Sequence, residues 1–108
     1  MKARIRFTDG PLSGQTFDVA GERIVIGRGP DCDIVVDSPM VQRQNCVLLK
    51  DEFTLRIRDL GSLRGTFVNG RCIRPGNGEM VVLHHDLITV GGTNFIVEID
   101  APMMAQAR

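Results

Sequence analysis

No stretch of this 108-residue sequence approaches the roughly 18 apolar residues that a bilayer-crossing helix needs. Its start, Met1-Lys2-Ala3-Arg4-Ile5-Arg6, also lacks the apolar core of a secretion signal, so the chain is expected to be neither membrane-inserted nor secreted. Cysteine is scarce. Cys32, Cys46 and Cys72 are odd in number and have no CxxC spacing, which argues against a disulfide framework and a structural zinc site and fits a reducing, cytoplasmic setting. Trp and Tyr are absent. Neither sign of charge is in excess, because 13 Lys+Arg balance 13 Asp+Glu; the uniform field that nucleic acid or an anionic membrane would select is missing.

What the sequence does have is arginine. Lys2 and Lys50 are its only lysines, so the rest of the 13 cations are arginines. Arginine's planar fork suits bidentate recognition of carboxylate or phosphate, and overall neutrality leaves room for a local anion site. A single domain of this length buries roughly two thirds of the surface its unfolded chain exposes and folds without staples.

The hydrophobic pattern is that of strands. Ala3, Ile5 and Phe7 alternate with Arg4 and Arg6, and Phe53, Leu55 and Ile57 with Thr54, Arg56 and Arg58, giving an apolar face and an arginine face each time. Further strand runs are Phe17 to Val19, Arg23 to Ile26, Ile34 to Val36, Asn45 to Leu49, Met80 to Leu83, Leu87 to Val90 and Asn94 to Ile99. Asn69-Gly70 predicts a type I′ turn between Phe67-Val68 and Arg71-Cys72-Ile73. Gly27-Arg28-Gly29 is no dinucleotide fingerprint, because Pro30 follows and no helix opens behind it. About ten short strands need two buried faces, hence a two-sheet sandwich. Residues 1–100 are expected to form the domain, and 101–108 a disordered tail or the start of a linker.

Three loop segments carry a resemblance: Ile26-Gly27-Arg28, then Asp37 to Asn45, then Asp59-Leu60-Gly61-Ser62-Leu63-Arg64-Gly65-Thr66-Phe67-Val68-Asn69-Gly70. With Asp86-Leu87-Ile88-Thr89-Val90-Gly91 near the end, their order and spacing resemble a forkhead-associated (FHA) domain over residues 3–99. The last segment matches the family's D-L-G-S-x-N-G-T-F-V-N-G at every fixed position except Arg64. The resemblance implies an all-β, SMAD/FHA-like sandwich of about eleven short, mostly antiparallel strands. It implies a non-catalytic module whose loops at one end bind phosphothreonine peptides.

On the same resemblance, Arg28 corresponds to the phosphate-binding Arg of G-R, and Arg43 follows the slot of the phosphate-binding Ser in S-x-x-H. Gln42 stands in that Ser slot, Asn45 in the slot of the His that braces the loop, and Arg64 in the slot of the Asn that contacts the peptide backbone. Arg28, Gln42, Arg43 and Arg64 are therefore the expected phosphopeptide residues, with Gly27, Asn45 and Gly65 as loop-bracing or backbone-shaping positions. Gln42 reaches further than Ser and loses more rotamer entropy, and Arg64 has no acceptor to pair with a peptide N–H. Each charge-assisted hydrogen bond lost costs about 1.5–3 kcal/mol. Two readings follow. In one, the module is degenerate, with weak or absent phosphothreonine binding and a phosphate-independent or self-associating role; in the other, phosphothreonine recognition persists through Arg28 and Arg43.

The remaining chemistry-bearing residues have simpler readings. Arg28 has Asp31 and Asp33 as alternative ion-pair partners, and the arginines of the strand faces are either solvated surface or a basic patch. His84 and His85, if in a strand, would point to opposite faces and could not share a metal. Cys46 and Cys72 are expected as small buried hydrophobes and Cys32 as partly exposed. No motif sets a nucleophile beside a base, so no catalytic, cofactor or metal residue is assigned. The expected partner is a protein or phosphoprotein segment, not nucleic acid or membrane.

Overall fold

A computed structural model describes residues 1–74 and 78–100, and the expected tail at 101–108 lies outside the described residues. The period-two segments become strands β1 (Lys2–Phe7), β2 (Thr16–Asp18), β3 (Arg23–Gly27), β4 (Ile34–Val35), β5 (Cys46–Lys50), β6 (Leu55–Asp59), β7 (Thr66–Val68), β8 (Arg71–Ile73), β9 (Met80–Val82), β10 (Leu87–Val90) and β11 (Thr93–Asp100). They form a six-stranded sheet, β2-β1-β11-β10-β7-β8, and a five-stranded sheet, β4-β3-β5-β6-β9. This is the all-β sandwich expected from the sequence. Among the described residues no helix is long and apolar enough to cross a membrane.

Alternation decides what fills the space between the sheets. Ile5 and Phe7 of β1, Ile26 of β3, Leu48 of β5, Leu55 and Ile57 of β6, Ile88 of β10 and Phe95 of β11 are all buried. Each such side chain contributes about 1.5–3 kcal/mol relative to exposure. Phe7 tilts against Phe95 with ring centroids 5.1 Å apart and meets Phe17 edge-on at 5.8 Å. β1 and β11 pair along their length, from Lys2 opposite Asp100 to Phe7 opposite Phe95.

The outward arginines Arg4, Arg6, Arg56 and Arg58 are neutralised in the fold, so the faces that carry them are not a basic patch. Arg4 and Arg6 share Glu98, and Arg4 also reaches Asp100; Arg56 and Arg58 share Glu79, and Asp51 adds to Arg56. Exposed pairs of this kind add little stability, but they cancel field.

Four local expectations need correction. Phe53 does not face the core: it is 84% exposed, because the Asp51 carboxylate accepts from the N–H groups of Phe53 and Thr54, both at 2.8 Å. That side-chain turn delays β6 until Leu55. Cys32 is buried rather than partly exposed, its thiol donating to the Arg43 carbonyl at 3.1 Å, and Cys72 is half-buried rather than buried. His84 and His85 lie in the turn after β9, where His85 takes φ 72°, so their rings stack with centroids 3.7 Å apart instead of diverging.

Two connections shape the loop end. β3 and β4 run parallel, Ile26 opposite Ile34 and Gly27 opposite Val35. Parallel neighbours ordinarily need a crossover of a dozen or more residues. Here residues 28–33 suffice because the loop folds back on β3, Asp33 N–H donating to the Val25 carbonyl and Val36 N–H to the Gly27 carbonyl. The β7–β8 hairpin turns at Asn69 (φ 50°) and Gly70 (φ 83°), as Asn-Gly predicts.

Candidate binding site at the loop end

Gly27 closes β3 and delivers Arg28 to the rim. A methyl group on Gly27 would collide with the Arg43 carbonyl, so only glycine lets the β3–β4 and β4–β5 loops touch. They are joined there by the N–H of Arg28 on the Gln42 carbonyl and the N–H of Gly29 on the Arg43 carbonyl, each at 2.9 Å. The Arg28 side chain continues the contact, its Nε donating to the Val41 carbonyl at 3.0 Å. Asp31 and Asp33 do not pair with Arg28; Asp31 accepts from Gln44 Nε2 and Asp33 from the N–H of Val25.

Beneath the loops runs a chain of buried polar groups. Asn45, 1% exposed, accepts from the Gln42 N–H through Oδ1 (2.9 Å) and donates to Thr66 Oγ1 through Nδ2 (3.2 Å). Its own N–H donates to the Ile26 carbonyl and its carbonyl accepts from the Leu60 N–H. The Thr66 hydroxyl donates to Asp59 Oδ1 at 2.7 Å; Ser62 Oγ donates to the same oxygen, and the N–H groups of Gly61 and Ser62 donate to Oδ2. Asn45 thus ties β3, the β4–β5 loop, the β6–β7 loop and β7 together. Every partner is satisfied, which is the condition for such a network to rigidify a site.

Gln42 makes a second bridge on the surface, its Oε1 accepting from the Leu63 N–H at 3.4 Å. With the amide oxygen so engaged, the NH2 end is left as a donor. Arg64 follows on the exposed crest of the β6–β7 loop. Gly65 holds φ 82°, and a methyl there would lie 2.7 Å from Cys72 Sγ, so this position shapes the backbone. The structure therefore brings Arg28, Gln42, Arg43 and Arg64 to one end, on loops bonded to each other.

Two residues at this end escape the sequence reading. Arg74 sends Nη1 to the Leu63 carbonyl at 3.3 Å, and Leu63 itself is 79% exposed although its N–H and C=O are both held. The signal for Arg74 was available in the hairpin: a two-residue Asn-Gly turn sets Thr66 opposite Ile73 and so carries Arg74 alongside Gly65.

Among the described residues, none of Arg28, Arg43, Arg64 and Arg74 forms an ion pair, in contrast to Arg4, Arg6, Arg56 and Arg58 of the sheet faces. The end gathers four guanidinium groups outside ion pairs, with the Asp31 carboxylate and the Arg43 side chain both against Gly29. The thiols beneath it are poor nucleophiles, since burial, helped by Asp31, pushes Cys32 up, and burial pushes Cys46 far above the ordinary thiol range. Among the described residues no group of three His, Cys, Asp or Glu side chains is arranged to hold a metal.

Comparison with known proteins bears on this site. The family model of the FHA domain matches residues 24–91. The oxoglutarate dehydrogenase inhibitor of Corynebacterium jeikeium is 33% identical over 82 residues, covering 76% of this chain and 54% of the inhibitor, so the chain spans about half of that relative's length. The solution structure of the FHA domain of an Arabidopsis thaliana hypothetical protein matches at a TM-score of 0.83 and 26% identity, covering 94% of this chain and 88% of that one. Mycobacterium tuberculosis EmbR, solved in complex with a low-affinity phosphopeptide, matches at a TM-score of 0.81 and 27% identity, covering 94% of this chain and 25% of EmbR.

Proposed function

Since the chain belongs to the FHA domain family, as a non-catalytic module, we propose that it recognises a phosphothreonine-containing segment of a cytoplasmic partner protein at its loop end. Arg28 and Arg43 take the phosphate, and Gln42 and Arg64 make contacts altered from the family pattern. The observation that carries this reading is the state of Arg28. Its Nε is fixed by the Val41 carbonyl while its two Nη groups, the nitrogens a phosphate engages, have no hydrogen-bond partner among the described residues. A phosphothreonine carries a charge of about −1.5 to −2, which two guanidinium groups balance. Preorganisation by Asn45 supports the same reading, because the substitution in the bracing slot keeps a closed network.

A second reading, binding independent of phosphate, is favoured by Arg64. Its guanidinium has donors only and cannot pair with both the N–H and the C=O of a bound backbone, and the side-chain amide oxygen of Gln42 is already committed to the Leu63 N–H. Under this reading the loop end holds an acidic surface of a partner, or a second copy of the chain, without threonine selectivity. Calorimetric titration with a degenerate phosphothreonine peptide pool and its unphosphorylated twin separates the two. Heat from the phosphorylated pool alone, abolished by Arg28→Ala, supports the first. Indistinguishable heats for both pools would sink it.

A further inference from the structure

We propose that Arg74, with Arg64, forms a second anion subsite, which takes another acidic group of the same bound segment as the phosphothreonine. This rests on the phosphopeptide reading and extends it to ligand selection. The subsite is defined by position and by charge. Arg74 leaves the end of β8 opposite Gly65 and lays its guanidinium along the β6–β7 loop, with Nη1 on the Leu63 carbonyl at 3.3 Å and its central carbon 3.6 Å from the point where a Gly65 methyl would sit. It therefore flanks Arg64 on the crest of that loop, whereas Arg28 and Arg43 belong to the β3–β4 and β4–β5 loops. The loops are coupled by the Gln42 to Leu63 hydrogen bond, so both pairs of arginines belong to one bonded surface.

Charge then leaves room for a second acidic group. One phosphate dianion is matched by Arg28 and Arg43, and the charges of Arg64 and Arg74 remain. No described carboxylate pairs with either, and Asp59, which ends β6 before that loop, is buried with both oxygens occupied by Ser62, Thr66 and the N–H of Gly61. An arginine committed through one Nη to a backbone carbonyl is oriented, and its remaining donors present a fork to a ligand at reduced entropic cost. The subsite's chemistry is that of a carboxylate or a second phosphate.

The test is a scan of phosphothreonine peptides in which one residue at a time, from four before to four after the phosphothreonine, is Ala, Asp or a second phosphothreonine. Binding is measured by fluorescence anisotropy to the whole chain and to its Arg74→Gln and Arg64→Gln variants. The expected result is a run of positions where Asp strengthens binding about threefold to tenfold over Ala, and this gain disappears in Arg74→Gln while the all-Ala phosphopeptide binds unchanged. A larger gain from the second phosphate than from Asp identifies a doubly phosphorylated segment; equal gains identify an acidic one. If Arg74→Gln weakens every phosphopeptide equally, Arg74 only holds the Leu63 loop and the subsite is overturned. If the Asp gain survives in Arg74→Gln, it is overturned as well. If no phosphopeptide binds the unaltered chain, the phosphopeptide reading itself falls, and this inference with it.

Discussion

The side-chain oxygen of Asn45 accepts the backbone N–H of Gln42 at 2.9 Å, so a buried amide and the loop residue above it are bonded to each other. Asn45 thus braces the loop from beneath, and the bond keeps it closed. Replacing Asn45 by Ala leaves the Gln42 N–H and Thr66 hydroxyl short of partners in a buried site. The expected loss is about 2–4 kcal/mol in urea unfolding, and a loss under about 0.5 kcal/mol contradicts the bracing role.

Gly27→Ala puts a methyl into the Arg43 carbonyl and must part the two loops. It is expected to cost stability and also to abolish ligand binding, whereas Gly14→Ala, at a turn with open space around it, costs only its left-handed backbone strain of about 1–2 kcal/mol. Denaturation and peptide titration of the two variants check the contrast. Retained binding in Gly27→Ala would show that the loop contact is dispensable.

Arg28→Ala is expected to leave the unfolding midpoint nearly unchanged, since the residue is exposed, while lowering phosphopeptide affinity at least about tenfold. Comparable losses in stability and affinity would instead mark Arg28 as a structural tie to Val41.

Acid sensitivity has identifiable sources. The Arg4 guanidinium holds the Glu98 carboxyl below its ordinary value, and the N–H groups of Phe53 and Thr54 do the same for Asp51. Both groups bind fewer protons folded than unfolded, so their contribution is complete above the unfolded pKa, roughly 4, and is lost as pH falls through the lower folded values. Urea midpoints of Glu98→Gln with Asp51→Asn are expected to fall less steeply than those of the unaltered chain as pH drops below about 4. Parallel curves would refute the assignment.

Thiol labelling gives an independent check of burial. Cys32 and Cys46 are buried with thiols pushed up, while Cys72 is half-buried beside Gly65. One thiol, Cys72, is expected to react with a disulfide reagent in the native chain and all three in urea. Fast native labelling of Cys72→Ser would count against the packing around Cys32.

The sandwich was legible because alternation along Ala3 to Phe7 and Leu55 to Arg58, and the Asn69-Gly70 turn, are local signals that burial then enforces. Phe53 misled because its alternation is in phase with β6 while the Asp51 turn, a competing local hydrogen-bond pattern, claims its N–H. The parallel β3–β4 pair was not readable, since two residues of β4 carry no orientation of their own. At the loop end, the family resemblance pointed to Arg28, Gln42, Arg43 and Arg64, but the amide orientation of Gln42 and the reach of Arg74 depend on which loops touch. Only packing across the sandwich decides that.

The pairing of Lys2 with Asp100 has a mechanical consequence. Tension applied through residues 2 and 100 acts on two antiparallel neighbours at the same end of their ladder. It opens that ladder like a zipper, one hydrogen bond after another, instead of shearing all its bonds at once. The pairs yielding last are those at Phe7 and Phe95, beside the β1–β2 and β10–β11 turns. Under load the domain would fray from its Lys2 and Asp100 edge first, with the far end of the ladder giving way last.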